Sequence, residues 1–229
     1  MAVFQLQKEI VFPHPSLAEK DGLLAIGGDL SIERLILAYT YGIFPWYNPG
    51  DPVLWWSPDP RCVLFPEKFK VSKSLKKIIS KNFFKVKFDN KFREVIINCS
   101  CVNRKGQKGT WITNDMIEAY YNLYESGFAH SVEVYIEDNL VGGLYGVSIG
   151  KVFFGESMFS KVPNASKVAL YFLVEKLKTQ KYNIIDVQQT TLHLLSLGAE
   201  EICREEFQKI LKNSITKQGN LLSEHSETI

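Results

Sequence analysis

The stretch that decides the fold is residues 151–188, KVFFGESMFSKVPNASKVALYFLVEKLKTQKYNIIDVQ. KVFFGESMF reads as a strand. After Asn164 the apolar residues Val168, Leu170, Phe172, Leu173, Val174 and Leu177 recur as in a buried helix. NIIDVQ (183–188) is a second strand. Two strands joined by a helix of this length predict a right-handed crossover and a parallel pair. Upstream, SVEVYI (131–136) alternates with period two, turns at Glu137-Asp138-Asn139, continues as LVGGLYGV and turns again near Gly150. With KVFFGESMF these segments form an antiparallel meander. The predicted class is α+β, with a mixed and largely antiparallel sheet.

Working outward, NDMIEAYYNLYES is a helix capped by Thr113 and stopped at Gly127, and a last helix covers 203–212. Near the start, Asp29 or Ser31 caps IERLILAYTY, which ends at Gly42. Residues 1–30 read mostly as loop. Residues 42–61, GIFPWYNPGDPVLWWSPDPR, hold Trp46, Trp55 and Trp56 and five prolines. Proline fixes φ and removes a donor, so this segment reads as an ordered, irregular loop. Composition changes near residue 62, which divides the chain into 1–62 and 63–229.

The chain has 229 residues, 45% of them hydrophobic, enough to bury a real core, and its net charge of +2 points to no partner. Cys62, Cys99, Cys101 and Cys203 lack metal-clip or disulfide-framework spacing, which predicts no metal site and a reducing compartment. There is no signal-like start and no apolar run long enough to span a bilayer, so a cytoplasmic protein without a membrane partner is expected. Residues 68–93 carry ten positive charges, among them Lys68, Lys70, Lys73, Lys76, Lys77 and Lys81, against Asp89 alone. Such polarity suits a held polyanion. The competing reading is a solvated helix face plus edge-strand lysines.

For chemistry, Glu156 ends one strand of the crossover, and Asp186 and Gln188 end the other. Positions i and i+2 of a strand share a face, and crevices in α/β sheets open at the strands' C-terminal ends. Three polar groups converging there outweigh the alternative that each caps a neighbouring turn. VGGLYG is not a dinucleotide loop, and there is no Walker A sequence. Ser157 and Ser160 have no GxSxG context. His130 and His193 read as helix-end or core residues. The aromatic segment serves either as a cover over a small core or as a platform on which bases stack.

GLLAIGGDLS through WWSPDPR (22–61), GTWIT (109–113), AHSVEV (129–134), LVGGLYGV (140–147), FFGESMFS (153–160), NASKVAL (164–170), Asp186-Val187-Gln188 and SLGA (196–199) together resemble the bacterial leucyl/phenylalanyl-tRNA–protein transferases. The resemblance implies a small N-terminal domain followed by a domain like the GCN5-related N-acetyltransferases. It implies transfer of Leu or Phe, less well Met, from charged tRNA to the N-terminal amine of proteins beginning with Arg or Lys, which directs them to N-degron degradation. The aminoacyl-tRNA is a co-substrate and no cofactor is expected. SKVPNASK stands where an acetyltransferase has its pyrophosphate loop. By position, the tRNA 3′ adenosine lies between Trp46 and Trp111. Trp55 and Trp56 are assigned to packing the loop against the larger domain.

Aminolysis of an activated ester requires a neutral amine, orientation and stabilisation of the developing oxyanion. Asp186 is expected to accept the amine's proton, Gln188 to orient the amine or carbonyl, and Glu156 to support that set and, with Asp186, attract an Arg or Lys side chain. The alternative is that the ribose hydroxyl shuttles the proton. Leu144, Phe153, Met158, Leu173 and Ile185 are expected to line the aminoacyl side-chain pocket, which rejects β-branched residues. A monomer is expected. The competing functions are a coenzyme A-dependent N-acyltransferase and a non-catalytic tRNA-binding module.

Overall fold

The computed structural model describes residues 3–102 and 110–215. The first unit is a four-stranded sheet in the order β1-β2-β4-β3, from β1 (Phe4–Leu6), β2 (Leu23–Gly27), β3 (Phe44–Pro45) and β4 (Leu54–Trp56), with α1 (Ile32–Thr40) between β2 and β3. Two expectations change here. Residues 1–30 contribute two strands, paired in parallel at Phe4–Ala25 through Leu6–Gly27. The aromatic segment supplies β3 and β4, and β4 lies inside the sheet between β2 and β3. Neither strand alternates clearly in sequence, because each is short and is fixed by its partner. Pro45, which has no N–H to give, sits on the edge strand.

A seven-stranded sheet follows, in the order β11-β5-β10-β9-β8-β7-β6. Its strands are β5 (Arg61–Leu64), β6 (Lys85–Phe88), β7 (Ala129–Ile136), β8 (Asn139–Ile149), β9 (Val152–Ser160), β10 (Ile184–Gln188) and β11 (Glu200–Ile202). The helices are α2 (Lys73–Ser80), α3 (Phe92–Ser100), α4 (Asn114–Glu125), α5 (Ala165–Thr179), α6 (Leu192–Ser196) and α7 (Arg204–Ile215). β7, β8 and β9 form the expected meander. β9 and β10, joined by α5, pair in parallel; every other neighbouring pair of this sheet is antiparallel. Thr113 caps α4, its hydroxyl accepting from the Met116 N–H at 3.2 Å.

The large sheet separates two apolar layers. On one face α5 packs Val168, Leu173 and Leu177 with Leu144, Phe153 and Ile185. Gly142 allows this close approach, because a Cβ there would lie 2.4 Å from that of Ala165. On the other face α1, α3, α4 and α7 pack against Tyr145, Val147 and Phe154. No helix among the described residues is long and apolar enough to cross a membrane.

Candidate active site

The ladder between β9 and β10 runs from Val152–Ile184 to Phe154–Asp186, and the functional groups stand just beyond it. Each strand is irregular there. In β9 the register shifts between Tyr145–Ser157 and Gly146–Gly155, leaving Glu156 as the extra residue. Plain alternation would put Phe154, Glu156 and Met158 on one face. Glu156 stays on the face of Phe154, where it meets groups from α1 and α4, and the bulge turns Met158 to the α5 layer. In β10 the shift falls between Asp186 and Gln188, and Gln188 has a left-handed φ of 57°.

A cavity of about 460 Å³ opens at this point. Trp46, Trp111, Glu156 and Gln188 line it, as do all five residues expected for the aminoacyl pocket: Leu144, Phe153, Met158, Leu173 and Ile185. Leu144 and Met158 are cross-strand partners. Trp46 is held by Trp56, whose indole N–H donates to the Trp46 carbonyl at 2.7 Å, with ring centres 5.7 Å apart. Trp55 is fully buried, touches Phe12 and donates to the Gly27 carbonyl at 2.8 Å. This corrects the assignment of these two rings: Trp56 braces Trp46, and Trp55 is core of the first sheet. Trp111 stands two residues before the cap of α4, and the neighbouring Tyr47 hydroxyl lies 3.4 Å from that of Thr113.

Glu156 is clamped by two phenols. Tyr39 of α1 donates to its Oε1 at 2.7 Å, and Tyr120 of α4 donates to its Oε2 at 3.0 Å. The two hydroxyls also touch each other. Two phenolic protons thus serve three contacts, and a proton on Glu156 would complete the ring. Burial pushes the Glu156 carboxyl up to about 7, against the lowering effect of both phenols. The Gln188 side-chain amide lies 3.5 Å from Glu156 Oε1.

Asp186 is placed differently from the expectation. It is fully buried, and both its oxygens accept from Arg61, at 2.8 and 2.7 Å. It does not line the cavity. The left-handed turn at Gln188 breaks the i, i+2 rule, so the two side chains do not present together. The Gln188 N–H donates back to Asp186 Oδ1 at 3.0 Å, tying Asp186 to the backbone of Gln188.

Arg61, Tyr39 and Tyr120 carry no site signal in the sequence. Arg61 closes WWSPDPR and Tyr120 lies on the apolar face of α4, but no local pattern names their partners. Leu170, Val187 and Leu194 also line the cavity, as does His193, to which the sequence assigned no role.

The basic run adjoins this wall. Lys70 N–H donates to the Leu197 carbonyl, just past α6, at 2.8 Å. Lys68 is paired with Glu200 at 2.6 Å. Lys70, Lys73, Lys76, Lys77 and Lys81 are exposed, four of them on or beside α2. Lys85 and Lys87 lie on β6, the edge of the large sheet.

The family model for the leucyl/phenylalanyl-tRNA protein transferase matches residues 63–212, and the model for that protein's N-terminal domain matches residues 28–59. The chain belongs to the leucyl/phenylalanyl-tRNA–protein transferase family. It is a transferase. A leucyl/phenylalanyl-tRNA–protein transferase of Flavobacterium johnsoniae is 55% identical over 92% of this chain and 100% of its own length. Another, from Syntrophus aciditrophicus, is 53% identical over 100% of this chain and 96% of its own. Among solved structures, a GCN5-related N-acetyltransferase-like protein from Streptococcus suis is similar, with a TM-score of 0.36 and 13% identity, over 73% of this chain and 63% of that one.

Proposed function

We propose that the transferase moves leucine or phenylalanine, and less well methionine, from charged tRNA to the N-terminal amine of proteins beginning with Arg or Lys. The product would enter N-degron degradation in the cytoplasm. The protein would act as a monomer, with aminoacyl-tRNA as co-substrate and no cofactor. One observation carries this reading: a single cavity is lined by two tryptophans, a set of apolar side chains, an acid and an amide. Trp46 and Trp111 sandwich the 3′ adenosine. Leu144, Phe153, Met158, Leu173 and Ile185 receive the unbranched apolar side chain, which places the ester carbonyl beside Gln188. The basic run from Lys68 through Lys81 holds the tRNA backbone by charge, independent of sequence.

The incoming amine must lose a proton as it attacks the ester carbonyl. Glu156 faces the cavity and titrates near 7, close to the pKa of about 7.7–8 of an N-terminal amine. It takes that proton, and the phenol pair holds the carboxylate in place. The C–N bond forms, the C–O bond to the ribose breaks, and Glu156 gives the proton to the departing ribose oxygen, which leaves as the hydroxyl. Gln188 orients the carbonyl or the amine, and Asp186 fixes Gln188. The negative form of Glu156 also favours a substrate with a basic first side chain.

The test supplies labelled Leu-tRNA and an Arg-initiated peptide in one arm, and acetyl-CoA with the same peptide in another. Transfer from tRNA alone is expected. Transfer from acetyl-CoA would select the N-acyltransferase reading, and binding of tRNA without transfer would leave a binding module.

A further inference from the structure

The guanidinium of Arg61 lies over two rings. Its central carbon lies 4.8 Å from the ring centre of Phe44 and 4.7 Å from that of Phe207. Phe44 is on β3, and it lines the cavity beside Pro45 and Trp46. Phe207 is on α7, the last described helix, and is not a cavity residue. The same guanidinium forms the forked pair with Asp186, with Arg61 only 1% exposed. Asp186 in turn accepts from the N–H of Gln188, a non-glycine residue held at positive φ. A backbone in that region persists only where its surroundings impose it.

The helix that carries Phe207 is itself fastened to the first unit. Gln208 donates to the Tyr41 carbonyl and Arg204 to that of Ser57, each at 2.7 Å. Gly42 leaves room for Phe207, since a Cβ there would lie 2.5 Å from its ring.

We propose that Arg61, its guanidinium over the rings of Phe44 and Phe207, is a positioning residue that sets Gln188 through Asp186, so that the Phe207 ring of α7 acts on the rate of transfer from outside the cavity. This rests on the reading of Gln188 as the orienting group. Only a planar fork can bond both carboxylate oxygens while presenting a face to each ring; an ammonium cannot. Both rings must remain in place for the guanidinium to keep its plane.

Steady-state kinetics of Arg61→Lys and Phe207→Leu, beside Gln188→Ala and Leu211→Ala, test this with whole charged tRNA and an Arg-initiated peptide. Leu211 packs on the same helix, against Gly42. Its truncation removes apolar packing from α7 and leaves the Phe207 ring and Arg61 intact. Arg61→Lys and Phe207→Leu are expected to lower kcat about 10- to 100-fold, as a displacement of about 1 Å would. KM for charged tRNA should stay within about twofold of wild type, the mark of an interaction lost in the transition state alone. Leu211→Ala should lower Tm and keep kcat. If Arg61→Lys does not fold, Phe207→Leu decides. Wild-type kcat in Phe207→Leu, with Gln188→Ala impaired, overturns the proposal and spares the site reading. Equal kcat losses in Leu211→Ala and Phe207→Leu at equal Tm also overturn it. Full turnover in Gln188→Ala overturns the proposal and the site reading together.

Discussion

Tyr39, on a helix of the first unit, donates a 2.7 Å hydrogen bond to Glu156, on a strand of the large sheet. The acid of the candidate site is therefore completed by the N-terminal unit, which also carries Trp46. Because the phenol stabilises the carboxylate, its loss raises the Glu156 pKa further. Tyr39→Phe is expected to move the acidic limb of the transfer rate upward by about one pH unit, a hydrogen bond to a charged group being worth about 1.5–3 kcal/mol. A pH–rate profile of kcat/KM checks this, and an unmoved limb would detach Tyr39 from catalysis.

Glu156→Gln removes the titrating group. The mutant should lose most of its turnover, and its residual rate should follow only the deprotonation of the amine, at about 7.7–8, without the limb near 7. Stability gives an independent readout. The folded carboxyl holds its proton more tightly than the unfolded one, so this group contributes stability below about 4.5 that is lost as pH rises to about 7. Denaturant midpoints of wild type should fall across that window relative to those of the glutamine variant.

Trp46→Ala and Trp111→Ala should each raise KM for charged tRNA by one to two decades, since a base–aromatic stack is worth about 1–3 kcal/mol. Trp56→Phe keeps a ring beside Trp46 but loses the bond to its carbonyl, so a smaller rise is expected. Kinetics with whole tRNA measure both. A rise in KM for the peptide alone would remove the tryptophans from the adenosine site.

Reversing Lys73, Lys76 and Lys81 to Glu should weaken binding of whole charged tRNA and flatten its dependence on salt, because fewer counterions are released. A minimal aminoacyl-adenosine donor should react almost as before. KM across a salt series decides; unchanged KM for whole tRNA would return these lysines to the role of a solvated helix face.

Leu173→Phe places a larger side chain in the apolar pocket. Transfer of Phe should fall more than transfer of Leu, since overpacking costs about 1–3 kcal/mol and the bulkier substrate meets it first. Competition between the two charged tRNAs reads the ratio directly.

The sequence by itself determined the meander, the crossover and the helix with its Thr113 cap, because each depends on neighbours a few residues apart: side-chain period, turn residues and a capping hydroxyl. It also gathered Glu156, Asp186 and Gln188, since the ends of two parallel strands must lie side by side. The tertiary structure alone decided how those groups are aimed. The bulge at Glu156 and the left-handed turn at Gln188 interrupt alternation, the first within the β8–β9 hairpin and the second opposite the distant β5. Only pairing with β2 and β3 shows that the aromatic segment holds a strand, and only Arg61, 125 residues from Asp186, shows which group this carboxylate is paired with. Partners so far apart in the chain leave no period or motif to read. They meet because a buried charge and buried phenols must find partners, and packing the first unit and α7 against the large sheet supplies them.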